Sequence, residues 1–282
     1  MAIDIHVHPF LFKEVIDRGP YLVECVRKAF WLRTSPQPIQ TYLSQMEIEQ
    51  IDKAVLLPID ATTSFNCSMP TNDIVAEIVE RYPDKFIGFG SIDPNNVESG
   101  VKELERIVNE LNLSGLKLVP YIQNFDPSDK KFYPIYEKAQ ELGIPILLHT
   151  GMTYVPHGKL DYCHPLKIDE IALNFPDLKI ILAHFGWPWV VDAAILAMRH
   201  KNVYLDISDC FSGTPYEHLK TLLIEQIPQR IVERFISDKI LFGSNYPRIE
   251  ADKMLRALKA LPLREDVKQK IMSKNARNLL KI

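Results

Sequence analysis

The sequence predicts an α/β fold, a single (β/α)8 barrel in which helices surround a closed ring of parallel strands. Eight short aliphatic or β-branched runs recur along the 282 residues, and segments with apolar residues at three- and four-residue intervals alternate with them. Polar residues suited to chemistry stand near the carboxyl ends of several runs, as in barrel enzymes. The alternative is an open, doubly wound parallel sheet.

The predicted strands follow one another along the whole chain, at residues 2–8, 53–58, 86–92, 113–120, 145–151, 179–186, 203–208 and 240–247. Helical patterns occupy residues 71–81, 97–112, 128–142, 166–174, 188–200 and 251–261, and another helix begins near Ile39. Gly143 marks a helix end, Ser128 is a plausible N-cap, and Pro83 and Pro176 end two further helices. This alternation predicts a TIM barrel formed by residues 1–282 as one domain.

Two stretches interrupt the alternation. Residues 10–38 are rich in aromatic side chains and form a predicted helical insertion after the first strand. Residues 152–165 lengthen the loop after the fifth strand. Because loops at the carboxyl ends of barrel strands line the active site, both stretches are candidates to shape a pocket. The insertion could instead form a contact between subunits, and residues 152–165 could be an ordinary surface loop.

Composition narrows the class of protein. Hydrophobic residues make up 46% of the chain and charged residues 24%, and no apolar run has membrane-spanning length. No secretory signal is visible, so cytoplasm is the expected location. The net charge is −3 and there is no cluster of basic residues, so the sequence does not indicate a surface that binds nucleic acid. A small molecule is the expected partner. The cysteines, which lack a C-x-x-C pair, are expected to be reduced and mostly buried: Cys25, Cys67, Cys163 and Cys210.

Four histidines predict a metal site. His6 and His8 are two apart on the first strand, so their side chains point to the same face and could grip one ion. His149 and His184 each end a later strand-like run. An isolated histidine is ordinarily a half-buried residue without special function, but four at strand ends favour a shared site. Lys117, Asp206 and Asn245 stand near the carboxyl ends of the fourth, seventh and eighth strands.

With these positions the chain resembles the amidohydrolase superfamily, in its amidohydrolase-related branch that includes aminocarboxymuconate semialdehyde decarboxylase and resorcylate decarboxylases. The resemblance covers essentially the full length. It rests on an ordered series of motifs: the H-x-H strand, YPDKF at 82–86, DP at 93–94, GLKL at 115–118, GIPILLHTG at 143–151, LAH at 182–184, LDIS at 205–208, FGSNYP at 242–247 and NARNLL at 275–280.

The resemblance implies one divalent metal ion, expected to be zinc, held by His6, His8 and His149 with a water molecule in an open position. Three neutral imidazoles would lower the pKa of that water toward ~7. The resemblance gives His184 the role of proton shuttle, a task suited to an imidazole. Relatives are often dimers or tetramers, so a homo-oligomer is possible.

Asn245 departs from the family, which usually has an aspartate there as metal ligand and proton acceptor. An amide oxygen can coordinate a metal, but it cannot take a proton at physiological pH. Acid–base work would then fall on His184 or Asp206. Three explanations of Asn245 remain open: the protein has diverged to a different chemistry, it is a catalytically impaired member of the family, or the asparagine was introduced into this sequence.

Three further residues are candidates to bind substrate. Lys117 could face a carboxylate or an enolate oxygen, although an ion pair with Asp206 is the alternative. Arg248 could clamp a carboxylate, or lie exposed on its loop. Trp187 could form a wall for an aromatic substrate, or simply pack in the core.

The first hypothesis is a metal-dependent hydrolase of a small, carboxylated cyclic ester, lactone or amide. The nearest competing hypothesis is a non-oxidative decarboxylase of a hydroxyaromatic, enol or keto acid, which would use the same metal ligands. Because ring protonation in the family draws on the eighth-strand carboxylate, Asn245 weighs against decarboxylation. An inactive relative that keeps the barrel and a metal-free lactonase are the third and fourth hypotheses.

Overall fold

The computed structural model describes residues 1–30 and 35–282 and contains the predicted parallel barrel. Its strands are short and almost entirely buried. In chain order they are β1 (Ala2–Val7), β2 (Ile51–Leu56), β3 (Ile59–Ala61), β4 (Cys67–Met69), β5 (Phe86–Gly88), β6 (Gly90–Ser91), β7 (Leu116–Leu118), β8 (Ile146–Leu148), β9 (Ile180–Leu182), β10 (Val203–Asp206) and β11 (Ile240–Leu241).

Parallel pairing follows the order of the chain. One sheet has the order β1-β2-β5 and the other the order β6-β7-β8-β9-β10-β11. Only Phe89 separates β5 from β6, and its backbone N–H donates to Leu56 O at 3.0 Å, so the two segments act as one barrel strand. Backbone bonds from Ile5 N to Phe242 O (3.0 Å) and from Asn245 N to His6 O (2.9 Å) join the first strand to the last. These bonds close the ring, as the sequence predicted.

The helices lie between the strands in sequence and pack outside the ring. They are α1 (Lys13–Ile16), α2 (Pro20–Phe30), α3 (Ile39–Glu49), α4 (Thr62–Phe65), α5 (Asn72–Arg81), α6 (Val97–Asn109), α7 (Pro120–Gln123), α8 (Tyr133–Glu141), α9 (Asp169–Asn174), α10 (Val190–Arg199), α11 (Pro215–Lys220), α12 (Gln229–Arg234), α13 (Ala251–Ala260), α14 (Glu265–Gln269) and α15 (Asn275–Leu280). The antiparallel hairpin β3–β4 was not predicted.

Two apolar clusters form the core. The larger lies between the strands and the surrounding helices. The smaller fills the ring with side chains such as Ile5, Val55, Phe89 and Leu147, and Ala276 of α15 packs against it. Alternate strand residues therefore face inward, which also turns the polar residues at strand ends toward a common space.

A buried carboxylate fastens the first strand to the last. Asp4 accepts hydrogen bonds from the backbone N–H groups of His6 and Ser244, both at 3.0 Å, and from Ser244 Oγ at 2.5 Å. Burial raises the pKa of the Asp4 carboxyl to about 7. The register of β1 against β2 shifts between Asp4 and Val7, next to the two histidines. This shift lets Ile5 and His6 both face the interior.

The insertion after β1 contains a helical turn (Pro9–Leu11) followed by α1 and α2. Residues 31–34 of the predicted 10–38 segment lie outside the described residues. Cys25 of α2 and Cys67 of β4 form a disulfide, with their Cα atoms 6.6 Å apart. The expectation of four reduced thiols was therefore wrong for this pair, because local spacing carries no information about cysteines 42 positions apart. Cys163 and Cys210 are free thiols.

Among the described helices, none combines the length and the apolar character needed to cross a membrane.

Candidate active site

A cleft opens at the carboxyl ends of the barrel strands. Predicted site residues from five different strands or strand ends meet along its walls. They are His8, Lys117, His149, His184, Asn245 and Arg248. The long loop after β8 contributes Met152, Thr153 and Tyr154, so the start of the predicted 152–165 segment lines this pocket.

His6 and His8 face each other across the floor of the cleft, with their Nε2 atoms 3.3 Å apart. His6 Nδ1 lies 2.9 Å from Asp206 Oδ2, and His8 Nδ1 lies 2.9 Å from Leu57 O. Carboxylate and carbonyl oxygens only accept hydrogen bonds, so both rings carry their proton on Nδ1. Burial lowers the pKa of both imidazoles well below the usual range, which keeps them neutral. Two Nε2 lone pairs therefore point at each other, an arrangement that a cation between them would stabilise.

His149 supplies a third such nitrogen. His184 Nδ1 is 3.2 Å from the carbonyl oxygen of Ser208, so this nitrogen donates. His184 Nε2 then accepts from His149 Nδ1, 3.1 Å away. This leaves His149 Nε2 as a lone-pair atom, and it is buried without a hydrogen-bond partner among the described residues. Buried polar atoms are rarely left unsatisfied, so an unpaired ring nitrogen in a cleft points to a ligand.

Asp206 lies beneath the cleft and holds the histidines in place. Its carboxylate accepts from His6 Nδ1, from the backbone N–H groups of His184 and Ser208 (both 2.9 Å), and from the Ser208 hydroxyl. Every one of these contacts is with the protein, which makes Asp206 an orienting group in this geometry. Ser208, which sequence reasoning missed, also lies 2.8 Å from His184 Nδ1 through its hydroxyl.

These contacts separate two overlapping sets of possible metal ligands. His6, His184 and Asp206 have ligand atoms within 4.8 Å of one another. In that set, however, the nearest atoms of His6 and Asp206 are already hydrogen-bonded to each other. The Nε2 atoms of His6, His8 and His149 instead offer lone pairs whose rings are fixed through Nδ1. Imidazole nitrogens of this kind are suited to a divalent ion such as zinc or manganese.

Lys117 is buried beside this set, with Nζ 3.4 Å from His6 Nε2. Burial lowers the pKa of its ammonium to about 7, and the charge of Asp206 opposes the shift. Within the part of the chain that the structure describes, no carboxylate lies within 4.0 Å of Lys117 Nζ, so the alternative of an ion pair with Asp206 is not found. Arg248 also reaches the cleft, and its Nε is 3.9 Å from Asp209 Oδ2.

Asn245 ends the eighth strand with a left-handed backbone (φ 64°) that turns its side chain into the cleft. Its Nδ2 donates to Asp209 Oδ2 at 2.7 Å. Asp209 is a buried carboxylate that the sequence prediction missed, although it stands just past the seventh strand, where functional residues are expected. Burial raises the pKa of the Asp209 carboxyl, while Arg248 acts in the opposite direction.

Aromatic rings form the other walls. Phe10, Tyr121 and Phe211 line the cleft, and none of them was predicted. Trp187 stacks behind Phe211, with ring centroids 5.3 Å apart and planes 5° from parallel. Trp187 therefore supports a wall of the cleft from behind. Phe211 lies shortly after the seventh strand, and this position could have predicted that it lines the cleft.

Unusual backbone geometry positions the fifth- and sixth-strand histidines. His184 has a left-handed φ of 58° inside the turn Ala183–Gly186, which aims its ring back over the barrel. Gly151 has a φ of +86°, and a Cβ there would lie 2.4 Å from Trp187 O. Only glycine permits this close approach, through which Met152 N donates to Trp187 O at 2.7 Å.

Comparison with known proteins gives matches over the whole barrel. A family model described as amidohydrolase matches residues 3–282. The 2-amino-3-carboxymuconate-6-semialdehyde decarboxylase of Dictyostelium discoideum is 33% identical over 130 residues, which is 41% of this chain and 36% of that protein. The chain thus matches well under half of this relative's length. Gamma-resorcylate decarboxylase of a Polaromonas species is 25% identical over 79% of this chain and 78% of that protein.

Solved structures agree with the fold. An uncharacterised TIM-barrel protein of Bordetella bronchiseptica has a TM-score of 0.78 and 24% identity, covering 99% of this chain and 98% of that chain. The 5-carboxyvanillate decarboxylase of Novosphingobium aromaticivorans, in complex with manganese and 4-hydroxy-3-methoxy-5-nitrobenzoic acid, has a TM-score of 0.70 and 18% identity, covering 100% and 96%. At these identities the likeness concerns the fold.

Proposed function

The chain belongs to the amidohydrolase family, and from this premise we propose that it is a metal-dependent decarboxylase of a small hydroxyaromatic or enol acid. Two decarboxylases match it over different extents of its length. They favour decarboxylation over the hydrolysis that the sequence put first. Substrate identity within this class is part of the proposal.

The observation that carries the proposal is a group of buried imidazoles along and beneath a cleft that also contains two cationic side chains. His6 and His8 present theirs at 3.3 Å, and His149 Nε2 is buried without a partner among the described residues. When bound, a divalent ion would supply positive charge that withdraws electrons from a substrate oxygen. A solved decarboxylase of the same fold contains manganese, so manganese and zinc are both candidates here.

Lys117 and Arg248 give the cleft its preference for an anion. Lys117 Nζ is buried, and an ammonium in a low-dielectric site interacts strongly with a carboxylate or phenolate oxygen. Arg248 is partly exposed at the edge of the cleft, where it can meet a second anionic group. The rings of Phe10, Tyr121 and Phe211 exclude water and match the flat faces of an aromatic substrate.

Decarboxylation requires a proton donor close to the carbon that loses CO2. The bond between the ring carbon and the carboxylate breaks, the electron pair stays on the carbon, and a proton then takes the place of CO2. His184 is the proposed proton carrier, since it lines the cleft and is anchored by Ser208. Burial keeps its pKa well below the usual range, and an anionic substrate would raise its proton affinity at the moment of binding.

This role has a structural condition. In the described geometry His184 Nε2 is engaged by His149 Nδ1 at 3.1 Å. Proton transfer toward the cleft therefore requires the His149–His184 contact to open, so that His184 Nε2 can face the substrate. His184→Asn is a suitable test, because asparagine tolerates the left-handed backbone but cannot carry the proton. We expect it to keep bound metal and to lose at least ~100-fold in kcat.

The function is tested by loading metal-free protein with Mn2+ or Zn2+ and following CO2 release from 2,6-dihydroxybenzoate, 5-carboxyvanillate and other hydroxyaromatic acids. Lactones and cyclic amides are assayed in parallel. The expected result is metal-dependent CO2 release that a chelator abolishes and the metal restores. Lactone opening without CO2 release would favour the hydrolase instead, and metal binding without any turnover would favour the inactive relative.

A further inference from the structure

The end of the eighth strand lacks the carboxylate that the family usually has there, but the neighbouring loop after the seventh strand contains one, Asp209. Asn245 stands where the family usually has aspartate, and its side-chain amide contacts Asp209, on the loop after β10, at 2.7 Å. We propose that Asp209 is a positioning residue that orients the Asn245 amide, so that Asn245 Oδ1 serves as an oxygen ligand for the cation. This inference rests on the metal site of the proposed function.

The hydrogen bond fixes which end of the Asn245 amide faces Asp209. A carboxylate oxygen accepts, so the amide must turn its Nδ2 toward Asp209. Oδ1 is then directed away from Asp209. Without Asp209, the two ends of the amide would compete for the same positions, and an NH2 group cannot bind a cation.

The backbone holds both partners in this arrangement. Asp209 and Asn245 have φ angles of 73° and 64°, in the left-handed region that aspartate and asparagine adopt more readily than other non-glycine residues. Asp209 N donates to Ser244 O at 3.3 Å, which ties the two loops together. Cys210 N donates to Asp209 Oδ1 at 2.6 Å, so one carboxylate oxygen secures the loop and the other is left for Asn245.

The negative charge of Asp209 is consistent with its role in orienting the Asn245 amide. A hydrogen bond from Nδ2 to a carboxylate polarises the amide and makes Oδ1 a better donor to a metal, as carboxylates do for ligating histidines. Asp209 also returns to the site a negative charge that Asn245 cannot supply. Arg248, with Nε 3.9 Å from Asp209 Oδ2, offsets part of this charge and accounts for its tolerance in a buried position.

Reversing the pair tests the proposal. Metal-free wild type, Asp209→Asn, Asn245→Asp and the double variant Asp209→Asn/Asn245→Asp are titrated with Mn2+ and Zn2+ by competition with a chromophoric chelator. Asp209→Asn is expected to weaken metal binding roughly 10- to 100-fold, in the range found for groups that orient metal ligands. Asn245→Asp places two carboxylates in contact and is expected to bind no tighter than wild type.

The double variant restores a carboxylate facing an amide, with the donor now at position 209. It is expected to bind metal within about threefold of wild type, whereas the effects of the two single changes would simply add if positions 209 and 245 did not interact. Cys210→Ser, in the same loop, is the control that should leave the affinity unchanged. The NMR signal of the Asn245 side-chain NH2 gives a readout that needs no metal, and it should shift in Asp209→Asn.

The outcomes separate this inference from the proposed function. Wild type that binds neither ion overturns both. Wild type that binds, with Asp209→Asn binding equally well, overturns the orienting role alone. The orienting role is also overturned if Asp209→Asn binds metal weakly and the added Asn245→Asp substitution does not restore the affinity. Should Asp209→Asn fail to fold, the double variant decides: affinity near wild type supports the pairing, and a loss of more than about tenfold refutes it.

Discussion

At the scale of single residues, the strongest indication of function is a set of nitrogen atoms rather than any one side chain. His149 Nε2 has no partner among the described residues, and the Nε2 atoms of His6 and His8 face each other. Each ring is oriented from behind by an acceptor or by a neighbouring ring. Buried polar atoms are rarely left unsatisfied, so a bound cation would complete the arrangement at His149 Nε2.

Replacement of His149 by alanine should therefore remove a metal ligand. We expect the bound metal, measured by mass spectrometry after dialysis, to fall from ~1 ion per chain to a small fraction of that. His157→Ala is the matched control, since His157 also has a buried Nε2 without a described partner but packs against Phe65. Equal metal loss in both variants would contradict the ligand role of His149.

Lys117 should determine how strongly an anionic substrate binds. Lys117→Met removes the buried ammonium, and loss of a charged hydrogen bond of ~1.5–3 kcal/mol predicts a KM about 10- to 100-fold higher. Because burial lowers the pKa of Lys117 to about 7, the cation is present below that pH. Substrate affinity is thus expected to fall as the pH rises above about 7. Steady-state kinetics check this, with the exposed Lys102→Met as control; an unchanged KM would refute it.

At the scale of elements, the insertion is fastened to the barrel by a covalent bond. The Cys25–Cys67 disulfide joins α2 to the β3–β4 hairpin, whose first strand contributes Ile59 to the cleft. Cross-linking residues 42 apart restricts the unfolded chain, with a predicted stabilisation of up to ~4 kcal/mol in the chain-entropy model.

Thiol titration of denatured protein should find the two free cysteines, Cys163 and Cys210, before reduction and four afterwards. Cys67→Ser is expected to lower the free energy of unfolding by ~2–4 kcal/mol, as measured by denaturant titration. Cys210→Ser, which breaks no cross-link, should change it little. Four reactive thiols in protein purified without reductant would show that the bond does not form in solution.

A second element-scale effect lies where α3 ends near the start of α13. Burial, together with the charges of Asp252 and Asp4, raises the pKa of Glu49 to about 7. A carboxyl with a raised pKa in the folded state binds its proton more tightly there, so stability falls as the pH rises from the unfolded value of about 4.5 to about 7.

Glu49→Gln should remove this penalty. We expect a gain on the order of 1 kcal/mol at pH 8, small because Glu49 is only partly buried, and no gain at pH 4. Thermal unfolding at the two pH values measures the difference. Glu47→Gln, an exposed change on the same helix, is the control. An equal effect at both pH values would exclude the titration of Glu49 as the cause.

At the scale of the whole molecule, closure of the barrel depends on bonds between the two ends of the chain. Asp4 accepts three hydrogen bonds, two of them from Ser244, and thereby connects residues 240 positions apart in the sequence. Closure also places His6 and Asn245 side by side, through the bond from Asn245 N to His6 O.

Asp4→Ala leaves two backbone N–H groups and a hydroxyl buried without an acceptor, at ~1–3 kcal/mol each. We expect a loss of at least ~3 kcal/mol in the free energy of unfolding, together with weaker metal binding. Asp84→Ala, at an exposed position, should stay within ~0.5 kcal/mol of wild type. A variant of Asp4 with wild-type stability would show that closure does not depend on this carboxylate.

The elements predicted from the sequence match the structure best where the prediction depends on a pattern of neighbouring residues. The helices predicted at residues 97–112 and 251–261 are found at Val97–Asn109 and Ala251–Ala260. The eighth strand was predicted over residues 240–247; its regular strand covers Ile240–Leu241, and single backbone bonds to the first strand continue as far as Tyr246. The helices between residues 213 and 235 and the β3–β4 hairpin were missed, since their patterns are short.

The amino-acid sequence alone determined the ring of parallel strands and the residues at its carboxyl rim, because strand periodicity and chain order are properties of neighbouring residues. Tertiary structure decided which atoms meet. The contact of Asp209 with Asn245, the position of Trp187 behind Phe211 and the pairing of Cys25 with Cys67 all depend on the paths of loops between distant residues. Those paths follow from packing over the whole barrel, which no local pattern encodes.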